Sequence, residues 1–251
     1  MISIKTPEEI EIMRVCNQII AKARKELAPM IVPGVSTFEL DQVAEKVIRS
    51  YDAVPAFKGY SGFPATLCVS INHEVVHGIP SKDRILQDGD VIGVDMGTIY
   101  KGFYGDSAVT YAVGKIDEAA KKLLKVTEES MYCGIRAAVP GGHLFDIGAA
   151  VQEHAESFGF SVVRDFVGHG IGRALHEDPQ VPNYGTKGYG MKLKVGMVLA
   201  IEPMINEGRP DVKILEDGWT AVTKDGKRSA HFEHSIALTE RGPEILSMDI
   251  H

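Results

Sequence analysis

The chain repeats itself at a fixed spacing. Val32-Pro33-Gly34 recurs as Val139-Pro140-Gly141, and each copy is followed, five residues after its proline, by Phe38 or Phe145 at the start of an apolar helical pattern. Further on, Gly89 opens an apolar, β-rich run that ends at Asp95, and Gly196 opens one that ends at Glu202. All three correspondences are 107 residues apart (140 − 33, 145 − 38 and 202 − 95). One repeated tripeptide is only a common turn pattern, whereas a constant offset through turn, helix and strand indicates an internal duplication. Each apolar run is followed by a second strand-like segment headed by a carboxylate, Asp106 or Glu233. These stand 127 residues apart (233 − 106), so the second half is expected to carry an insertion between its paired strands.

Thr6, Pro7 and Glu9 combine an N-cap, a proline at the first helical position and a capping-box glutamate, and predict a long helix. Ser36 and Glu39 repeat the capping signal for a second helix after the first Val-Pro-Gly turn. A chain of 251 residues with 44% hydrophobic content can bury one substantial core. The expected fold is α+β: one catalytic domain, 1–251, of two pseudo-symmetric halves, roughly 1–114 and 115–251. Their strand pairs would form a curved, mainly antiparallel sheet with the helices on one face.

The charge balance removes several function classes. A net charge of -7 without a dense Lys/Arg run leaves no footprint for nucleic acid. Residues 1–9 carry neither a basic nor an apolar leader pattern, and no later apolar run reaches the length of a membrane span, so a cytoplasmic protein is expected. Cys16, Cys68 and Cys133 are too few and too scattered for a disulfide framework or a Cys-rich zinc site, and read as reduced thiols.

A pseudo-twofold axis between the halves would bring Asp95 to Glu202 and Asp106 to Glu233 near the middle of the sheet. Four carboxylates flanked by Val, Ile, Leu and Ala cannot all stay ionised unless cations neutralise them. Two divalent ions, which sit about 3.5–4 Å apart in such centres, would balance the charge. Of nine histidines, His143, His154, His231, His234 and His251 read as surface or packing residues. His169 differs because it lies in Gly168-His169-Gly170-Ile171-Gly172, where glycines allow close backbone approach around a ligand. His176, just before Glu177-Asp178-Pro179, is a further candidate for the site.

Seven segments taken together resemble the type I methionine aminopeptidases of bacteria: His77-Gly-Ile-Pro80, Gly93-Val-Asp95, Gly105-Asp106-Ser107, Gly168 to Gly172, His176 to Pro179, Ile201-Glu202-Pro203 and Phe232-Glu233-His234. The resemblance covers nearly the whole chain, in order. It implies the pita-bread fold and five metal ligands: Asp95 on one ion, His169 and Glu202 on the other, and Asp106 and Glu233 bridging. It also implies that His77 and His176 contact the scissile amide without binding metal, and that Tyr60, Phe63, Cys68, Leu175 and Trp219 line the methionine pocket. Only 26 positions separate His176 from Glu202, which leaves no room for the helical insertion of type II relatives. Because the first helix is signalled almost at once, neither a zinc-binding extension nor the N-terminal domain of a prolidase is expected.

The chemistry expected is N-terminal methionine removal from peptides and from nascent chains at the ribosome, by a monomer. Water shared by two metals would be the nucleophile, and Glu202 would relay the proton to the leaving amine. An oxygen-rich ligand set with one imidazole points to Mn, Fe or Co, with Zn possible. Two other readings compete. His73-Glu-Val-Val-His77 is a literal H-E-x-x-H, the mark of a one-zinc endopeptidase when helical, but a strand-like run precedes it and Gly78 and Pro80 would break a helix at once. A metal-free interaction module of the same fold would leave the buried carboxylates without a cause.

Overall fold

Helix α1 (Pro7–Leu27) begins where the capping box places it, with Thr6 and Glu9 exchanging hydrogen bonds and Pro7 in the first turn. Helix α2 (Thr37–Ser50) is capped the same way by Ser36 and Glu39. The computed structural model describes residues 2–248, so His251 lies outside the described residues. Five strands follow in the first half: β1 (Val54–Pro55), β2 (Leu67–Ile71), β3 (Glu74–Val76), β4 (Val91–Tyr100) and β5 (Phe103–Ala112). The second half opens with α3 (Glu118–Ala137), capped by Asp117, and α4 (Leu144–Ser157), which follows the second Val-Pro-Gly turn. Its strands are β6 (Ser161–Val162), β7 (Gly168–Gly170), β8 (Glu177–Val181), β9 (Val198–Ile201) and β10 (Met204–Asn206), then β11 (Val212–Ile214), β12 (Ala221–Thr223), β13 (Ser229–His231), β14 (His234–Thr239) and β15 (Gly242–Ile245). No helix among the described residues is long and apolar enough to cross a membrane.

Strand alternation sorts the side chains. Ile92, Val94 and Met96 on β4 pack with Leu67 and Val69 of β2 against Ile20, Ala23 and Leu27 of α1 and Leu40 and Ala44 of α2. Asp95 therefore points to the opposite face. Likewise Leu199, Ile201, Ile236 and Leu238 pack against Met131 and Ile135 of α3 and Ile147 of α4. Each such aliphatic side chain contributes about 1.5–3 kcal/mol on full burial, so the apolar faces fix which face the carboxylates take.

Every strand pairing is antiparallel. The first-half strands extend beyond the segments read from sequence: β4 continues past Asp95 to Tyr100 and β5 starts before Asp106, so both carboxylates sit within strands. In the second half the equivalents are broken, β9/β10 at Glu202-Pro203 and β13/β14 at Phe232-Glu233. Pro203 has no N–H to give a ladder. The register nevertheless carries across the break, with Ile201 opposite His234 and Met204 opposite His231. Glu202 and Glu233 thus face each other, whereas in the first half Asp95 is opposite Ala108 and Asp106 opposite Gly97. The duplication is offset here by two residues, which keeps both acids on one face.

The halves join along β5 and β13/β14. The Glu233 N–H donates to Ala108 O (2.9 Å), Ser107 Oγ donates to Glu233 O (2.8 Å), and Ser235 Oγ donates to Asp106 O (2.8 Å). The expected insertion supplies the β11–β12 hairpin, and β12 pairs with β3 of the first half. It carries Trp219 to the side of the site where His77 stands.

Candidate active site

All twelve residues singled out from the sequence line one cavity of about 190 Å³ on the face away from the helices. Ligand atoms of Asp106, His169 and Glu233 all lie within 4.8 Å of one another. His169 Nε2 is 3.3 Å from Glu202 Oε1 and 3.8 Å from Asp106 Oδ2. Gly168 and Gly170 flank His169 on β7, and a Cβ on either would run into the backbone of a neighbouring strand, Ala200 O or Asp178 O. Glycine there lets β7 lie tightly between β8 and β9 and brings the imidazole to the carboxylates.

His169 Nδ1 lies 2.9 Å from Gly170 O, and a carbonyl can only accept, so Nδ1 carries the proton and Nε2 presents a bare lone pair. A lone pair facing two carboxylates needs either a cation between them or a proton held on one of the acids. Asp95 Oδ1, Asp106 Oδ1 and Glu233 Oε1 are buried and have no hydrogen-bond partner. Burial raises Asp95 and Glu202 to about 7 each, and burial first, then neighbouring carboxylates, raise Asp106 and Glu233 well above the usual range. Burial also lowers the imidazoles, His77 to about 4, and His169, His176 and His231 in the same direction. The protein by itself disfavours every charge in the cavity, which suits a site built around cations it does not supply. The donor set fits divalent metal.

His77 has a left-handed backbone (φ 63°) just after β3 and packs edge-on to Phe166 at 5.3 Å. His176 packs edge-on to His169 at 4.4 Å. Its loop is tied down by Glu177, whose Oε1 accepts from Arg173 N (2.7 Å) and Ala174 N (3.2 Å) and whose Oε2 accepts from the buried Lys5 Nζ (2.6 Å). Phe63 meets Trp219 edge-on at 5.1 Å, and with Cys68 and Leu175 they make the apolar end of the cavity. This gives Trp219 the partner that its polar sequence surroundings did not reveal.

The sequence reading missed Phe57, Val76, Phe166, Val167, Met204 and His231, which also line the cavity. His231, which reads from the sequence as a surface or packing residue, is 4% exposed and lines the cavity. It sits two positions before Glu233, and strand alternation is the signal that could have found it. His143 sits at the start of α4, His154 pairs with Glu129 at 3.3 Å, and His234 Nδ1 meets Ser247 Oγ at 2.7 Å. The H-E-x-x-H run is a hairpin: His73 is exposed in the turn between β2 and β3, and Glu74 accepts from Ile71 N and pairs with Arg84. Only His77 of that motif reaches the cavity.

Fold and cavity together are those of a pita-bread metallopeptidase. The sequence pattern of metallopeptidase family M24 matches residues 11–240. The chain is 55% identical over 247 residues to methionine aminopeptidase 1 of Bacillus subtilis (strain 168), covering 98% of this chain and 99% of that one. A crystal structure of a methionine aminopeptidase from Thermotoga maritima superposes with a TM-score of 0.97 at 51% identity, covering 98% of this chain and 99% of that one. A prolidase from Pyrococcus furiosus shares the fold more distantly, with a TM-score of 0.79 at 25% identity, covering 99% of this chain and 66% of that one. The chain belongs to metallopeptidase family M24, in its methionine aminopeptidase branch.

Proposed function

We propose that this chain removes the N-terminal methionine from peptides and nascent proteins, with two divalent metal ions held by Asp95, Asp106, His169, Glu202 and Glu233. The observation that carries the metal reading is the bare Nε2 of His169 facing two carboxylates, beside buried carboxylate oxygens without hydrogen-bond partners. The oxygen-rich set favours Mn, Fe or Co, with Zn also compatible. Metal in this site would lower the pKa of a shared water toward neutrality and polarise the scissile carbonyl.

The rest of the work falls to the chain's own groups. Glu202 takes the proton released at the attacking water and delivers it to the departing amine. His77 and His176, both uncharged near neutral pH because burial lowers them, hydrogen-bond the scissile amide from outside the ligand set. Tyr60, Phe63, Cys68, Leu175 and Trp219, joined by Phe57, receive the methionine side chain, whose polarisable sulfur gains from aromatic edges. The same reading has the enzyme working as a monomer in the cytosol, on chains leaving the ribosome.

Hydrolysis of Met-Ala-Ser, Leu-Ala-Ser and N-acetyl-Met-Ala-Ser, each with and without added Mn²⁺, tests it. Metal-dependent release of methionine from the first peptide alone is expected. Equal cleavage of the acetylated peptide, or turnover unaffected by chelation, would overturn the proposal.

A further inference from the structure

His231 is the histidine of this cavity that the chemistry above leaves without a role. It is 4% exposed, and its backbone is pinned in both directions by Thr110, whose Oγ1 accepts from His231 N (2.9 Å) and donates to His231 O (2.7 Å). The ladder partner Met204 fixes its register on β13. Its Nε2 is buried and has no hydrogen-bond partner, yet lies 3.6 Å from Glu202 Oε2. The other oxygen of the same carboxylate, Oε1, faces His169 Nε2 at 3.3 Å. Glu202 thus stands between two imidazoles, one for each oxygen. A leucine would fill the space without burying an unpaired ring nitrogen, so packing alone gives no reason for a histidine.

We infer that His231 is a positioning residue for Glu202, donating from Nε2 to Oε2 when substrate fills the cavity and fixing the rotation of the carboxylate. With Oε1 turned toward His169, this contact leaves Oε2 a second lone pair free to take up and pass on the proton. A carboxylate oxygen accepts more than one hydrogen bond, so holding Glu202 does not block its proton transfer. The inference rests on the reading that Glu202 relays the proton.

The test uses the full-length, metal-loaded protein carrying His231→Leu, His231→Gln or His231→Asn. Glutamine keeps an N–H donor at similar reach, asparagine is too short, and leucine has none. For His231→Leu, kcat on Met-Ala-Ser should fall about tenfold to a hundredfold, as for loss of a hydrogen bond to a charged group. KM should stay near wild type, and so should Mn²⁺ affinity measured by calorimetric titration of the metal-free protein. His231→Gln should recover most of kcat, and His231→Asn should not. If the leucine variant does not fold, the contrast between glutamine and asparagine decides. Unchanged kcat in the leucine or asparagine variant would reduce His231 to packing. Lost Mn²⁺ would make it a ligand, and a glutamine variant as poor as asparagine at equal thermal stability would exclude the hydrogen bond. Wild-type protein without metal-dependent turnover on Met-Ala-Ser would instead remove the proposed function.

Discussion

The Tyr60 hydroxyl lies 2.8 Å from Nδ1 of His176, at the rim of the cavity. With the hydroxyl donating, the ring proton sits on Nε2, the nitrogen left to meet the substrate carbonyl. Tyr60→Phe should therefore lower kcat by about fivefold, the worth of one neutral hydrogen bond, while Mn²⁺ affinity stays unchanged. His176→Ala should lose far more turnover and still bind metal. Calorimetric titration beside steady-state kinetics on a methionyl tripeptide checks both, and loss of metal in His176→Ala would show it to be a ligand.

Asp106→Asn and Glu233→Gln should each remove nearly all activity. Both side chains are buried beside His169, with carboxylate oxygens that have no protein partner, so neutralising either weakens the site for both cations. Metal content after dialysis is the measurement. Either variant with wild-type turnover and full metal would contradict the dinuclear assignment.

His73→Ala should be almost silent, because the ring is exposed on a hairpin turn. His77→Ala should lose orders of magnitude in kcat and keep its metal, since the ring lines the cavity. Glu74→Gln should cost stability more than catalysis, since Glu74 ties the hairpin to Arg84. Melting temperature and kcat, compared across the three, separate this from a one-zinc endopeptidase, in which His73 and Glu74 would be indispensable.

Relative to the metal-loaded protein, the metal-free protein should lose stability as pH rises from about 5 to about 7, a comparison in which the opposite effect of the buried imidazoles cancels. Asp95 and Glu202 are raised from 3.8 and 4.5 to about 7, so in this window the folded chain retains protons that the unfolded chain has released. Unfolding is then favoured by rising pH. Bound metal replaces those protons and removes the dependence. The melting temperature gap between metal-loaded and metal-free protein should widen from pH 5 to pH 7, and a constant gap would count against the raised carboxylates.

Much of this was legible in the sequence because the signals were local. Both capping boxes marked their helices, and the carboxylates stood out because each follows or heads an apolar run. Strand ends were not legible: β4 continues past Asp95 because Thr98 is buried, its Oγ1 donating to Cys16 O of α1 at 2.9 Å, a contact across 82 positions of sequence. Phe57 and Phe166 come from irregular segments without periodicity, and Trp219 reaches the cavity only because β12 pairs with β3. His231 was missed because Glu233 reads from the sequence as the head of its strand, so the alternation that reaches back to the short β13 is not looked for.

The seam between the halves also sets an order in time. Asp95 and Asp106 are synthesised with the first hairpin, but Glu233 follows Asp106 by 127 residues. At about 5–20 residues per second, that is a delay of roughly 6–25 s in which the first hairpin lacks both its partner strand and the acids facing it. The centre cannot close until β14 docks on β5, because the Glu233 N–H to Ala108 O bond is made there. On the proposed metal reading, uptake would be a late event of biosynthesis, and a chain stalled before β14 would lack the acid that completes the centre.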